Sequence, residues 1–196
     1  MKQACRTATL TVLVFSAAAA LAQPAAAPAP TPVRTATSIA GRPNWPKAKP
    51  EDVQSSEAIV AAVYSVISGG KGQQRDWDRM RSLFVPDARL IPAITGKDGH
   101  NDVLMLSVDG YIERSGTRLT NDGFFERSIH NETEQFGNIV QVWSTYESRH
   151  SAEDEKPFAR GINSFQLLKD GDRYWVVNIF WDSESPTKPI PAKYLP

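Results

Sequence analysis

The sequence predicts an α+β domain, and three observations predict it. Segments with helical hydrophobic spacing come first, in the stretch from residue 55 to 116. Four long β-rich runs follow after Gly123. Between the last two runs stands Asp170-Gly171, a pair whose backbone preferences suit a tight hairpin turn. Helices in front and a meander of antiparallel strands behind imply a sheet with the helices packed on one face.

The amino-terminal residues read as an address. Lys2 and Arg6 precede an uncharged stretch from Thr7 to Ala20, and Ala20-Leu21-Ala22 fits the small-x-small cleavage rule. Residues 1–22 are therefore expected to be a signal peptide, too alanine-rich and short to remain as a membrane anchor. Cleavage there would remove Cys5, the only cysteine, and place the protein in the periplasm or outside the cell. No stable membrane insertion is expected after cleavage. Residues 23–50 hold half of the 14 prolines among alanine and threonine, so they read as an extended, solvated linker. Trp45, in Asn44-Trp45-Pro46, either pins the end of that linker to the fold or is a free aromatic. The folded domain is expected over residues 51–196, long enough for one core.

Within that domain Ile59, Val60, Val63, Tyr64 and Ile67 make one apolar helical face, capped at Ser55 or Ser56 and ended by Gly69-Gly70. A short helix is expected from Asp76 to Phe84, burying Trp77, Met80, Leu83 and Phe84, with Pro86 as its stop. Arg89 to Thr95 reads as a strand that is edge or bulged, because Pro92 cannot donate to a ladder. Ser107 opens a helix carrying Val108, Tyr111 and Ile112 and expected to end at Gly116. The four late strands are Phe124–Gln135, Asn138–Arg149, Phe158–Lys169 and Tyr174–Asp182.

Turn positions then set which side chains share a face. A two-residue Asp170-Gly171 turn pairs Phe165 with Val176, Asn163 with Asn178 and Gly161 with Phe180. A turn centred on Phe136-Gly137 or Gly137-Asn138 puts His130 on the face of Trp143 and Thr145. If Trp143 lies near Phe165, one face carries His130, Trp143, Thr145, Asn163, Phe165, Asn178 and Phe180. That is an aromatic surface with a few convergent polar groups, the make-up of a ligand pocket. Ile162, Ile179, Trp181 and Arg160 fall on the other side, which is the candidate face for a homodimer. Glu147 and Arg160 are candidates for a cross-strand ion pair.

Several function classes are excluded. The 22 basic and 22 acidic residues balance, so bulk charge does not call for nucleic acid. A single cysteine excludes a disulfide scaffold and a cysteine zinc site. There is no G-x-S-x-G nucleophile motif and no glycine-rich phosphate loop. His130, Glu132 and Glu134 alternate along one strand, but about 7 Å between alternate side chains is too far for a metal ligand set, so no metal and no cofactor is expected.

The run Asp76-Trp77-Asp78-Arg79-Met80-Arg81-Ser82-Leu83-Phe84-Val85-Pro86-Asp87-Ala88-Arg89-Leu90, with the late strands Gly161–Leu167 and Trp175–Trp181, resembles the nuclear transport factor 2-like superfamily, which includes SnoaL-like cyclases and ketosteroid isomerases. The resemblance spans about Val53 to Ser185 and implies a cone-shaped antiparallel sheet wrapped by the amino-terminal helices. By the same resemblance Tyr64 stands where the isomerases carry a tyrosine oxyanion donor, and Asn163 stands where they carry a protonated acid. Their aspartate base would fall near Pro92, which bears no carboxylate. His130 is the candidate replacement, moving a proton while Tyr64 and Asn163 stabilise an oxyanion; the alternative is a histidine on a solvated strand beside Glu132 and Glu134. The expected function is thus binding of a small, mostly apolar molecule between Trp143, Phe165 and Phe180, with cofactor-free isomerase, cyclase or dehydratase chemistry. The alternative is a non-catalytic dimeric binding or assembly module.

Overall fold

A computed structural model describes residues 37–196. The expected signal peptide and the linker up to residue 36 lie outside the described residues. What remains of the linker is tied to the domain at Trp45, whose indole N–H donates to the carbonyl oxygens of Arg81 (2.9 Å) and Phe84 (3.0 Å). The aromatic also packs against the core, so it serves as the pin.

Four helices come before the main strands: α1 (Pro50–Val53), α2 (Ser56–Ile67), α3 (Trp77–Leu83) and α4 (Val108–Asp122). Ser55 caps α2 by accepting the Ala58 amide at 3.1 Å, and Asp76 caps α3 by accepting the Arg79 amide at 2.9 Å. The single turn α1, not foreseen from sequence, is held to α3 by a two-pronged ion pair between Asp52 and Arg79, both contacts 2.8 Å. Arg75 is buried without an acid; its guanidinium instead donates to the carbonyls of Ile67, Gly69 and Leu119, stitching the end of α2 to α4.

Two sequence expectations about helix ends are corrected. Helix α4 runs through Gly116 to a cap at Gly123. A Cβ on Gly116 would stand 3.1 Å from the Trp77 ring, so this glycine marks a close helix–helix approach rather than a stop. Phe84 leaves the helix and opens β1 (Phe84–Thr95), so Pro86 lies inside a strand. It is tolerated there because the ladder to the neighbouring strand is interrupted between Phe84 and Arg89.

The remaining strands are β2 (Asn101–Val103), β3 (Phe125–Phe136), β4 (Ile139–Arg149), β5 (Ala159–Asp170) and β6 (Arg173–Ser183), followed by a 3-10 turn at Ala192–Tyr194. The sheet order is β2-β1-β6-β5-β4-β3. The late strands form the expected antiparallel meander, and β1 joins it parallel to β6. On the inner face Val140, Val142, Phe165, Leu167 and Ile179 meet Ile59, Val60 and Val63 of α2 in one core. On the outer face the carboxyl-terminal tail lies across β4: Thr145 Oγ1 donates to the Tyr194 carbonyl at 2.6 Å, and the Tyr194 ring packs on Trp143 at 5.8 Å.

Candidate functional site

Register decides the site, and two single-residue irregularities decide the register. The β5–β6 turn is Gly171-Asp172, with Asp170 opposite Arg173 and Gly171 at φ +58°. Leu167 pairs with Val176, but Gln166 then pairs with Asn178, leaving Val177 as an extra residue. Beyond it Phe165 lies opposite Ile179 and Asn163 opposite Trp181. The expected partners Val176 for Phe165, Asn178 for Asn163 and Phe180 for Gly161 are therefore corrected. Ile179 and Trp181 turn inward, while Asn178 and Phe180 turn to the outer face.

The second irregularity is at Ile129, left unpaired between Ser128 opposite Tyr146 and His130 opposite Thr145. His130 does share a face with Thr145 and Trp143, as the hairpin reading had it. However, Trp143 pairs with Ser164, and Val142 pairs with Phe165. That one-residue difference carries His130 and Trp143 to the outer face. Of the seven candidate site residues, the structure brings together Tyr64, Asn163 and Phe165. It puts His130, Trp143, Asn178 and Phe180 across the sheet from them. His130 Nε2 lies 3.0 Å from Glu132 Oε1 at the surface. Glu147 and Arg160 face each other as expected, but Glu147 is held by Arg127 and Arg149, and Arg160 by Glu184.

Between the inner face, α2 and α4 is a cavity of about 230 Å³. Ile67, Met80, Leu90, Phe165 and Ile179 supply apolar wall, and Phe158 and Arg118, both exposed, mark its mouth. Tyr64 comes in from α2, edge-on to Phe165 with ring centroids 6.0 Å apart. Its hydroxyl accepts from Asn163 Nδ2 at 3.0 Å and lies 2.7 Å from Ser144 Oγ. Ser144 in turn donates to Ser128 Oγ at 3.1 Å, and Ser128 donates to Asn131 Oδ1 at 2.7 Å. The chain has one consistent direction, so the Tyr64 proton points to Ser144. Burial raises the Tyr64 phenol above its ordinary range and pushes Tyr146 up to about 12, so both stay protonated near neutrality.

The titratable group of this cavity is Glu126, which sequence reasoning missed. It is opposite Ser148 on β4, whose hydroxyl donates to Glu126 Oε2 at 2.7 Å. Burial pushes its carboxyl from 4.5 up to about 7; the hydrogen bonds of Ser148 and Asn163 act in the opposite direction without overcoming it. Glu126 and Tyr64 also line a second, wider hollow of about 620 Å³ between α2 and β3, whose walls include Glu57, Ser65 and Arg127. The carboxyl thus lines both hollows. Without the extra residue at Ile129, strict alternation from the Gly137 turn would send Glu126 outward and Arg127 inward. The sequence carries one hint, an acidic residue directly after Phe124-Phe125.

Helix α4 completes the wall with Tyr111, Ser115 and Arg118, one or two turns apart on the same side.

By sequence, the chain matches no family model and no curated protein. Solved structures do match. A protein of unknown function with a cystatin-like fold from Nostoc punctiforme is 10% identical, with a TM-score of 0.50, covering 66% of this chain and 89% of that one. An NTF-2-like protein of unknown function from Silicibacter pomeroyi is 15% identical, with a TM-score of 0.44, covering 65% and 92%. A putative calcium/calmodulin-dependent protein kinase II association domain from Xanthomonas campestris is 13% identical, with a TM-score of 0.48, covering 66% and 86%. The chain shares the cystatin-like fold of the first of these. At such identities the likeness speaks to architecture, and activity has to come from the chemistry of the cavity.

Proposed function

We propose that the protein binds a small, mostly apolar carbonyl compound in the inner cavity and moves a proton next to its carbonyl without a cofactor. The observation that carries this reading is Glu126, a carboxyl raised to about 7 beside Asn163 and Tyr64 in an apolar chamber. A base whose pKa lies near the working pH combines availability with driving force. Glu126 would take the proton from carbon and return it one or more atoms away. Asn163, and Tyr64 once its hydroxyl turns from Ser144, would donate to the developing oxyanion. His130 has no part in this reading, since it faces away from the chamber. The cavity is smaller than the ~300–1,000 Å³ of pockets for drug-sized ligands, which favours a compact substrate. The amino-terminal residues 1–22 favour an exported protein.

A second reading is a non-catalytic assembly module. It draws on the outer face, where Phe136 and Ile139 at the β3–β4 turn are 85% and 62% exposed and Trp143 and Phe180 lie further along the same face.

Incubation of the protein with a panel of small cyclic and aryl ketones in deuterated water separates the two readings. Deuterium entering the carbon beside the carbonyl, read by proton NMR, is expected with the natural chain and reduced at least ~100-fold in Glu126→Gln, in line with the usual contribution of a general base. Exchange no faster than in buffer, or equal in the two proteins, leaves only the assembly reading standing.

A further inference from the structure

The polar groups that α4 turns toward the cavity are the least satisfied in it. Tyr111, Ser115 and Arg118 line the chamber at intervals of four and three residues, which puts them on one helical stripe. Tyr64 and Glu126 have hydrogen-bond partners within the protein. By contrast, the Tyr111 hydroxyl, the Ser115 hydroxyl and the Arg118 guanidinium make no side-chain hydrogen bond or ion pair among the described residues. Among the described residues Arg118 is the one cation along the cavity wall. Its charge reaches the Tyr111 phenol, where it opposes the rise that burial imposes. Glu126, on β3, accepts from Ser148 and forms no ion pair with Arg118 among the described residues.

Polar groups beside a hydrophobic chamber are expected to find partners, from the protein, from water or from a ligand. Three donors aligned on one wall, one of them a guanidinium with its fork free, match a planar monoanion. The same chamber holds the Glu126–Asn163–Tyr64 group, and the Glu126 charge also reaches the Tyr111 phenol.

We infer that the ligand is a small apolar carboxylate, anchored by Arg118, Ser115 and Tyr111 with its apolar body directed into the chamber. This deepens the proposed function and rests on its placing of the ligand in the inner cavity. The anchor sets the register of the bound molecule: the carboxylate stays at the mouth, and the atoms beyond it lie along the wall that leads to Glu126. Arg118 is then a specificity residue and takes no part in proton transfer.

Two probes of one shape test this, 4-phenylbutyrate and 4-phenylbutanol, titrated calorimetrically into the full domain at pH 8. The natural chain should bind the acid about tenfold more tightly than the alcohol, the ratio expected when a charge-assisted hydrogen bond is retained. Arg118→Gln, an exposed position whose replacement leaves the core intact, should bring that ratio to about one. Arg118→Lys should restore part of it. Equal affinities in the natural chain, or a preference that survives Arg118→Gln, overturn the anchor while keeping the cavity as a binding site. Binding of neither probe overturns the cavity reading and the anchor with it.

Discussion

The inner and outer faces of the sheet are made by the same strands, residue by alternate residue, yet they differ in almost every physical respect. Inside, Val140, Val142, Phe165 and Ile179 are sealed against α2, and the polar groups among them are strung into one directed hydrogen-bond chain. Outside, the charged groups are paired in ion pairs that range from half-exposed, as at His130–Glu132, to buried, as at Glu147–Arg149, and large aromatics meet solvent or the carboxyl-terminal tail. A carboxylate has a different character on each side. Glu147, on the outer face, is drawn below its ordinary range chiefly by hydrogen bonding to Arg149. Glu126, one strand away and inward, is pushed above it by burial with no partner cation. The same functional group becomes a structural ion on one face and a proton carrier on the other.

The largest test of this contrast uses two phenylalanines on neighbouring strands. Phe165→Ala removes a fully buried ring and should destabilise the domain by about 3–5 kcal/mol. Phe180→Ala removes a ring that is 43% exposed and should cost less than about 1 kcal/mol. Chemical denaturation of both variants checks it, and equal losses would mean that the faces are assigned the wrong way round.

Next in size is the pH dependence of Glu126. Its carboxyl titrates near 4.5 in the unfolded chain and near 7 in the folded one. Between those values the folded state binds more protons, so the group's contribution is complete below pH 4.5 and is lost as pH rises through 7. The difference corresponds to about 3 kcal/mol. Glu126→Gln should therefore gain stability relative to the natural chain on going from pH 4 to pH 8, by up to that amount. A constant gap between the two unfolding curves across that range would show that Glu126 is not held in an apolar setting.

The smallest effect belongs to His130. Its surface pairing with Glu132 is of a kind worth about 0–1 kcal/mol, so His130→Ala should shift the unfolding midpoint little. It should also leave deuterium exchange into the ketone panel unchanged. A loss of exchange comparable with that of Glu126→Gln would restore the histidine to the mechanism.

Helices α2 and α3, a cap of α2 at Ser55 or Ser56, and the four late strands are legible in the residues, because each is written in local spacing and turn chemistry. The candidate site was legible in part. Tyr64 was placed by the resemblance to the isomerases, Asn163 by that resemblance and by alternation along β5, and Phe165 by alternation. Glu126, Ile179 and Trp181 were out of reach, and so was the outward turn of Asn178 and Phe180. Tyr111 stood in plain view, but as a member of an apolar helix face; its free hydroxyl becomes meaningful only when the chamber is seen.

What the amino acids settle by themselves is the kind and order of the elements, since periodicity, caps and turns act over a few residues. Which side chains enter the chamber was left to the assembled sheet. Side chains alternate with a period of two, so one unpaired residue inverts everything beyond it, and Ile129 and Val177 look like any other β-forming residue until the neighbouring strand is in place.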